Sequence, residues 1–468
     1  MRVFLFIVLI GAISSFAMAP TNYVLALFIG LSLLFIFVRH SKSAMGAFGY
    51  AFFFSIGYFG FGLSWIGNAL LVEDNPYWWA WPIAVSGLPI ILSLFPAVAC
   101  AIHKAIWKDK SNILVYLSFC IFLSLSEFAR GHLFTGFPWN LYGYTWISVM
   151  PVAQVASLWN IYLLTALTVI WATFPGYLLK GSENKSVKTF LSLLMVFSFS
   201  SAYMFGLNRI NAAQNDVPQD VSFVIVQPNI EQSQKWKKNK ISENFMSMIE
   251  QSKFQETTAG GVGGSYLIVW PETAISQGLI NAPWAITEIR NMLNSYPSES
   301  YLVTGALRID EDKETFHNSM VVFDSEADII GTYDKSHLVP FGEYMPLSNI
   351  VDIAPIVGFT NFEKGDSQNL MTLPNDIKMG ALICYEVIFP RYVTSENNEK
   401  PDFYVNVTND AWYGESAGPY QHLVQTQFRA IESGRPIIRS ANTGVSAYIN
   451  STGTIINSIA LNDKNTIN

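Results

Sequence analysis

Three side chains that could perform acyl-transfer chemistry follow short apolar runs in the second half of the chain. Glu272 ends the run LIVWPE, Lys335 ends IIGTYDK, and Cys384 follows Gly380 to Ile383 in MGALICYEVIFP. Short apolar runs bounded by turn residues are typical of buried strands. Open α/β sheets place their reactive groups where strands end. The sequence therefore predicts that an acid, an amine and a thiol emerge where strands meet loops.

These three groups complement one another chemically. A thiol with an ordinary pKa of about 8.5 is only a few per cent thiolate at pH 7, so a catalytic cysteine needs a base or a nearby cation. Glu272 is predicted to be the base. Lys335 is predicted to favour the thiolate and then to stabilise an oxyanion together with the backbone N–H of Tyr385. Taken alone, each residue has a simpler interpretation: a surface carboxylate, a solvated lysine and a buried structural cysteine.

The remaining cysteines and histidines do not suggest a second chemistry. Cys100 and Cys120 lie in apolar segments and are predicted to be packing residues, so the 468-residue chain has no disulfide framework. The six histidines show no metal-ligand spacing. We expect no metal.

Strand and helix signals alternate through residues 207–468. Strands are predicted at 221–227, 266–272, 301–307, 319–323, 329–335, 379–386, 402–409, 436–442 and 445–450. Helices are predicted at about 241–253, 282–295 and 419–434. This alternation indicates an α/β or α+β domain of roughly 250 residues with a sheet that is buried on both faces.

Residues 1–206 are instead predicted to form a helical membrane bundle. A spanning helix needs about 20 mostly apolar residues. Seven segments are candidates: 3–19, 22–38, 44–66, 79–102, 112–129, 150–178 and 189–206. The first could also be a cleaved signal peptide, because Arg2 precedes it and Ala17-Met18-Ala19 resembles a cleavage site. The second apolar segment follows almost at once, which favours retention.

The basic residues predict the orientation of this bundle. With the N-terminus in the cytoplasm, nine Lys and Arg residues fall inside and two fall outside, which matches the positive-inside rule. The nine are Arg2, Arg39, Lys42, Lys104, Lys108, Lys110, Lys180, Lys185 and Lys188, and the two are Arg130 and Arg209. Seven crossings then place residues 207–468 on the periplasmic face.

The two parts also differ in charge. Residues 1–206 hold 10 Lys+Arg and 5 Asp+Glu, against 18 and 30 in residues 207–468. Nucleic-acid binding needs clustered basic residues, which the second part lacks, so that function is excluded. The outside loop from Glu127 to Trp146 is aromatic and rich in glycine. It is either an aromatic belt with Arg130 extended to the membrane surface or a re-entrant platform that receives lipid.

Longer motifs around the three reactive residues resemble the carbon–nitrogen hydrolase (nitrilase) superfamily. They are VWPETA (269–274), YDKSHLVPFGEYMP (333–346), ICYEVIFP (383–390) and NDAWYG (409–414). With the membrane segments, FTGFPW (134–139) and VQPNIEQSQKW (226–236), they resemble the membrane-bound apolipoprotein N-acyltransferase family in particular. The resemblance covers nearly the whole chain. It implies a multi-pass α-helical membrane bundle, 1–206, and an αββα sandwich of nitrilase type, 207–468.

The resemblance implies a role for each matching residue. Glu272 corresponds to the general base, Lys335 to the oxyanion stabiliser and Cys384 to the nucleophile. Glu343 corresponds to a second essential carboxylate that orients Lys335 or shuttles protons. The other matches are Tyr385 as a supporting residue and Trp236, Glu386 and Trp412 as residues tied to substrate handling or loop movement.

The resemblance also implies a reaction. A phospholipid, typically phosphatidylethanolamine, gives an acyl chain to Cys384 as a thioester, and the α-amine of an S-diacylglyceryl-cysteine on an apolipoprotein then accepts it. Both substrates are confined to the membrane, which raises their effective concentration. The implied reaction requires no cofactor, and the implied location is the bacterial inner membrane. The family usually carries one more membrane helix after the sandwich, and no such segment precedes Asn468 here.

Two other functions fit part of this pattern. A membrane-tethered amidase or nitrilase acting on a small amide or nitrile would share the reactive residues but leaves the membrane segments unexplained. It would release acid without phospholipid. A transport or scaffold protein with an inactive enzyme domain would have no reason to keep the complete set, and alkylation of Cys384 at neutral pH would distinguish it.

Overall fold

The structure is a computed structural model. It describes the whole chain except residues 1, 74, 108–111, 182, 214–220, 255–263, 311–314, 347–361, 367 and 395–398. Lys108 and Lys110, which contribute to the predicted orientation, lie outside the described residues.

The chain divides into two compact units, and each takes segments from both halves of the sequence. The first comprises Met1–Gly67, Trp79–Gln214 and Ser416–Glu432, and the second comprises Asn68–Trp78, Asn215–Glu415 and Ser433–Asn468. The sequence predicts one domain boundary, between residues 206 and 207, and this boundary stays a prediction. Hydropathy did not predict that Asn68–Trp78 belongs to the second unit and Ser416–Glu432 to the first.

The first unit is helical. Its longer helices are Arg2–Ser15, Val24–His40, Ala44–Gly62, Trp81–Ile106, Ile113–His132, Ile161–Lys180, Lys185–Ala212 and Ala417–Ser433. Five helical segments of the described chain are long and apolar enough to cross a membrane: Ala44–Gly62, Trp78–Ile106, Ile113–His132, Ile161–Lys180 and Lys185–Ala212. Arg2–Ser15 and Val24–His40 are apolar but shorter. A membrane bundle is thereby supported, while the count of seven spans stays a prediction.

Two of the predicted membrane segments are interrupted. The helix that begins at Ala44 ends at Gly62, and a 3₁₀ helix follows at Ser64–Leu71. The predicted segment 150–178 contains a break at Asn160, whose φ is 91°. The Asn160 side chain accepts a hydrogen bond from the Tyr162 N–H at 2.9 Å and so caps a new helix.

The aromatic loop that follows the helix Ile113–His132 is held by a buried ion pair. Arg130 donates to Glu127 at 2.6 Å, and both side chains are fully buried. The same guanidinium donates to the backbone oxygens of Phe137 at 2.6 Å and Trp139 at 2.9 Å. The interpretation in which Arg130 extends to the membrane surface is therefore wrong. The side chain instead ties the loop after the helix Ile113–His132 to the end of that helix.

The second unit contains two six-stranded sheets. The strands are β1 (Val221–Gln227), β2 (Ser265–Val269), β3 (Ser300–Asp310), β4 (Thr315–Phe323), β5 (Ile329–Asp334), β6 (Leu370–Thr372), β7 (Lys378–Ile383), β8 (Phe403–Thr408), β9 (Ile437–Ala441), β10 (Ser446–Ile449), β11 (Ile455–Ile459) and β12 (Asn465–Ile467). The sheet orders are β12-β1-β2-β3-β4-β5 and β11-β10-β9-β8-β7-β6. Strands β1, β2 and β3 run parallel, as do β7, β8 and β9, so several strand ends meet at one edge of each sheet.

Apolar side chains join the two sheets face to face. Leu267 and Val303 of the first sheet share one buried cluster with Ala381 and Val405 of the second. On the other face of the first sheet, a second cluster contains residues from the helices Ile241–Gln251 and Pro283–Leu293. The helix Ala417–Ser433 forms the crossover from β8 to β9 in the chain. The predicted αββα class is confirmed.

All nine predicted strands exist, with differences at their ends. Strand β2 ends at Val269, before Pro271, because proline has no backbone N–H to donate to a ladder. Strand β7 ends at Ile383 rather than 386, and a 3₁₀ helix occupies Cys384–Ile388. Strands β6, β11 and β12 were not predicted. Each has three to five residues, too short for a clear periodic signal.

Candidate active site

Glu272 lies in a turn that follows β2 and packs tightly against β3. The Pro271 oxygen accepts from the Gly305 N–H at 3.2 Å, and the Ile275 N–H donates to the Gly305 oxygen at 3.0 Å. A Cβ atom at position 305 would overlap the backbone of Glu272 and Thr273, so this close approach requires glycine. The turn leaves Glu272 only 6% exposed.

Cys384 lies at a sharp bend between β7 and the 3₁₀ helix Cys384–Ile388. Its φ is 47°, an uncommon value for a non-glycine residue and one that recurs at active-site turns. Glu386 supports this bend, because its Oε2 accepts from the Ile383 N–H at 2.9 Å. Its Oε1 accepts from the Tyr333 hydroxyl at 2.7 Å and from the Ser336 N–H at 2.7 Å. Glu386 thus connects the bend at Cys384 to the segment around Lys335.

Lys335 is buried between two carboxylates. Its Nζ lies 2.8 Å from Glu343 Oε1 and 3.5 Å from Glu272 Oε1, and the lysine side chain is 1% exposed. Its backbone N–H donates to the Asn318 oxygen at 2.8 Å, which continues the pairing of β5 with β4 by one residue. Glu343 is itself held by the Val339 N–H, which donates to Oε2 at 2.8 Å. The ammonium group is therefore fixed in position.

Asn318 completes this cluster and was not predicted from the sequence. Its Nδ2 donates to Glu272 Oε1 at 2.8 Å and to Glu343 Oε1 at 2.9 Å. A neutral donor between two carboxylates satisfies both without adding charge. The available signal was that Asn318 directly precedes the apolar run SMVVF. The predicted strand began at residue 319, one residue too late to include it.

Charges around the thiol set its ionisation. Burial raises the pKa of Cys384 above its ordinary range, and Glu272 raises it further, while Lys335 opposes both. The resting group is therefore a thiol, which needs a base before it can attack. Burial by itself would lower the pKa of Lys335, but Glu343 and Glu272 raise it by more, so Lys335 remains a cation throughout the neutral pH range.

A second buried polar network lies beside Cys384. The Thr408 hydroxyl forms a hydrogen bond with the Cys384 thiol and lies 3.0 Å from Asp410 Oδ1. Asp410 Oδ2 lies 2.7 Å from Arg439 Nη2, and both side chains are fully buried. Arg439 also donates to Asn406 Oδ1 at 2.5 Å. These residues lie on β8 and β9 or follow β8. In the sequence, only their position in or next to a buried strand could have indicated that they belong to the site.

The other predicted residues are placed around this centre. Tyr385 and Glu386 are buried, at 5% and 0% exposure. Trp236 and Trp412 are half-buried, and Trp236 lines a cavity next to the Glu272 turn. The structure therefore brings Lys335 into contact with both Glu272 and Glu343, and the charges of Glu272 and Lys335 affect the pKa of Cys384. Among the described residues, Trp412 forms no hydrogen bond, ion pair or ring contact with Glu272, Lys335 or Cys384.

Comparison with known proteins defines the class. The carbon–nitrogen hydrolase family matches residues 225–467. The chain therefore belongs to the carbon–nitrogen hydrolase superfamily. A solved member, Nit3 of Saccharomyces cerevisiae, aligns with 54% of this chain and 90% of its own, at 14% identity and a TM-score of 0.40. That likeness is too loose to support any statement on function.

The first part of the chain identifies the particular family. The apolipoprotein N-acyltransferase N-terminal domain matches residues 10–174. The apolipoprotein N-acyltransferase of Rhodopseudomonas palustris is 36% identical over 97% of this chain and 86% of its own length. That of Rickettsia typhi is 34% identical over 98% and 90%. The chain thus belongs to the apolipoprotein N-acyltransferase family, and the family predicted from the motifs is confirmed.

Proposed function

We propose that this protein transfers an acyl chain from a membrane phospholipid, through a thioester on Cys384, to the α-amine of the S-diacylglyceryl-cysteine of an apolipoprotein. The observation that carries this proposal is the buried Glu272–Lys335–Glu343 cluster beside a cysteine at a strained bend. Membership of the acyltransferase family supports the lipoprotein acceptor and the membrane-lipid donor. Phosphatidylethanolamine is the proposed donor.

The first half-reaction loads the cysteine. Glu272 takes the proton of the Cys384 thiol, and the thiolate attacks the ester carbonyl of the phospholipid. Lys335 and the backbone N–H of Tyr385 stabilise the tetrahedral oxyanion. The intermediate collapses when the C–O bond to the glycerol breaks, and the leaving alkoxide takes the proton from Glu272. The products are a thioester and a lysophospholipid.

The second half-reaction unloads the cysteine. The neutral α-amine attacks the thioester carbonyl, and the same donors stabilise the new oxyanion. Glu272 takes a proton from the amine nitrogen and gives it to the departing thiolate of Cys384. An amide forms and the thiol is regenerated, so no oxidant or further reactant is required.

The supporting residues hold these groups in place. Glu343 fixes and balances Lys335, with which it is in direct contact. Both carboxylate oxygens of Glu386 accept bonds from the protein, which favours a role in shaping the bend at Cys384. Trp236 and Trp412 are half-buried and offer apolar surface, so we propose that they contact the substrates.

We propose that the protein lies in the inner membrane, with residues 207–468 as the catalytic domain on the periplasmic side. The nine basic residues on the inside against two on the outside support this orientation. A periplasm-active reporter fused after Asn468 should be active. An inactive fusion together with an active cytoplasmic reporter would refute the orientation.

The chemistry is tested with full-length protein in phospholipid micelles. Without an acceptor, the wild type should gain one acyl group that neutral hydroxylamine removes, and a diacylated lipopeptide should then discharge it onto its amine. Cys384→Ala should show neither step, whereas Cys100→Ala and Cys120→Ala serve as matched controls and should show both. An acyl label that never appears, or that persists in Cys384→Ala, contradicts the thioester route. Hydrolysis of a small amide without any transfer to the lipopeptide would favour a tethered amidase.

A further inference from the structure

A second buried lysine lies next to the base. Lys235 ends the one-turn helix Gln232–Lys235 and is 7% exposed. Its Nζ donates to the backbone oxygen of Glu272 at 2.9 Å and to the Thr273 hydroxyl at 2.7 Å. We propose that Lys235 is a positioning residue: its ammonium group fixes the turn that carries Glu272 and supplies a second positive charge beside the nucleophile.

The turn that Lys235 contacts needs an external support. Thr273 has a φ of 46°, which is rare and unfavourable for a β-branched residue. Backbone strain of this kind persists only where the surroundings determine the conformation. Contacts with Gly305 hold the turn from the side of β3, and Lys235 binds its carbonyl and hydroxyl groups. The carboxylate of Glu272 is aimed by the conformation that these contacts fix.

The charge of Lys235 is also distinct from that of Lys335. Lys335 is in contact with two carboxylates, whereas both acceptors recorded for Lys235 in the described part of the chain are uncharged oxygens. Burial lowers the pKa of Lys235 to about 8, although Glu272 and Cys384 oppose this shift. Lys235 therefore loses its charge near pH 8 and keeps most of it at neutral pH.

The groups around Lys235 decide which charges it can affect. The titratable groups that influence it are Glu272, from the turn after β2, and Cys384, from the bend after β7. The cavity on its other side presents uncharged residues from the described part of the chain, among them Trp236, Ile241, Asn244 and Leu279. Its charge thus acts on the base and the nucleophile. As the proton moves from the thiol to Glu272, negative charge moves to sulfur, and Lys235 stabilises it.

The proposal is tested by alkylation of Cys384 with iodoacetamide from pH 6 to pH 10 in the full-length protein, followed at the Cys384 peptide by mass spectrometry. An opposite charge nearby changes a pKa by about one unit or more, so Lys235→Met should react about tenfold more slowly than the wild type below pH 8. Above pH 8 the ratio of the two rates should approach one, because the wild type loses the same charge.

Three further variants separate charge from structure. Lys235→Arg keeps the charge, so its rate should equal the wild type below pH 8 and exceed it above. Lys235→Gln keeps a hydrogen-bond donor without the charge, so the same slower alkylation below pH 8 is expected as for Lys235→Met. It replaces the methionine variant in the comparison if that variant does not fold. Thr273→Val removes one acceptor and should give a ratio to wild type that does not change with pH.

Two outcomes would overturn the inference. A Lys235→Gln ratio that stays constant across the pH range means that Lys235 has only a structural role. A pH-dependent ratio for Thr273→Val means that the turn, not the charge, produces the effect. The inference rests on the proposed role of Cys384, and the two can fail separately: absence of any alkylation at Cys384 in the wild type counts against the nucleophile itself, whereas a constant ratio counts against Lys235 alone.

Discussion

Removal of Lys335 should cost both stability and rate, and a second substitution should recover only stability. In Lys335→Met, two buried carboxylates lose their cation: Glu343, 2.8 Å from Nζ, and Glu272, 3.5 Å from Nζ. Breaking a buried pair by removing one partner costs about 3–5 kcal/mol, a large part of the roughly 5–15 kcal/mol that holds a typical domain folded. For a domain of this size, that corresponds to a fall in Tm of roughly 6–20 °C.

Glu343→Gln provides the second arm of the comparison. Combined with Lys335→Met, it removes one of the two carboxylates left without a cation, so the double variant should be more stable than the sum of the single losses predicts. Contacting residues of this kind show coupling energies of about 0.5–3 kcal/mol. The rate should not recover, because losing one oxyanion donor costs on the order of a hundredfold or more.

Thermal unfolding in micelles and acyl transfer to a diacylated lipopeptide measure the two quantities separately. The pKa of Lys335 is raised above its ordinary value of 10.5, so the stability it contributes is present below that pH and is lost only as pH rises through the higher, folded-state value. The stability difference should therefore be constant from pH 6 to pH 9. Additive stability losses would refute the pairing, and normal turnover of folded Lys335→Met would remove Lys335 from the chemistry.

Two further predictions concern buried polar contacts. Asn318→Leu removes the donor shared by Glu272 and Glu343. Each hydrogen bond to a charged group is worth about 1.5–3 kcal/mol, so loading of Cys384 should slow by at least about tenfold. Loading at the wild-type rate would contradict this prediction. Arg130→Met leaves Glu127 buried without its partner and should lower the Tm of the full-length protein. Arg130→Met combined with Glu127→Gln should recover part of that loss, and no recovery would contradict the pair.

The positions of the three candidate catalytic residues could be predicted from the sequence because each follows a recognisable strand. Glu272, Lys335 and Cys384 come after β2, β5 and β7, and apolar runs of this kind identify strands without any knowledge of how they pair. The contact between Lys335 and Glu343 was predicted only through the family resemblance. Nothing in the spacing of those two residues places the second carboxylate 2.8 Å from the amine.

Three other residues around the site could not be predicted in this way. Asn318, Thr408 and Lys235 act through distances to side chains that are far away in the sequence. The pattern QSQKW around Lys235 has the polarity of an exposed helix, and the single turn Gln232–Lys235 is too short for its buried side to appear as a periodicity. A lysine is almost never fully buried without a partner, so exposure was the reasonable expectation for it.

The helix Ala417–Ser433 illustrates a feature of the fold that hydropathy alone does not predict. It joins β8 to β9, so its sequence belongs to the catalytic part, yet residues 416–432 lie in the helical unit. Polar residues on a helix ordinarily face water, but Gln421 is buried and accepts hydrogen bonds from the indole N–H groups of Trp65 at 3.0 Å and Trp139 at 2.8 Å. Gln421 lies more than 280 positions from each of these tryptophans in the sequence, so a window of neighbouring residues cannot show which side chains satisfy its hydrogen bonds.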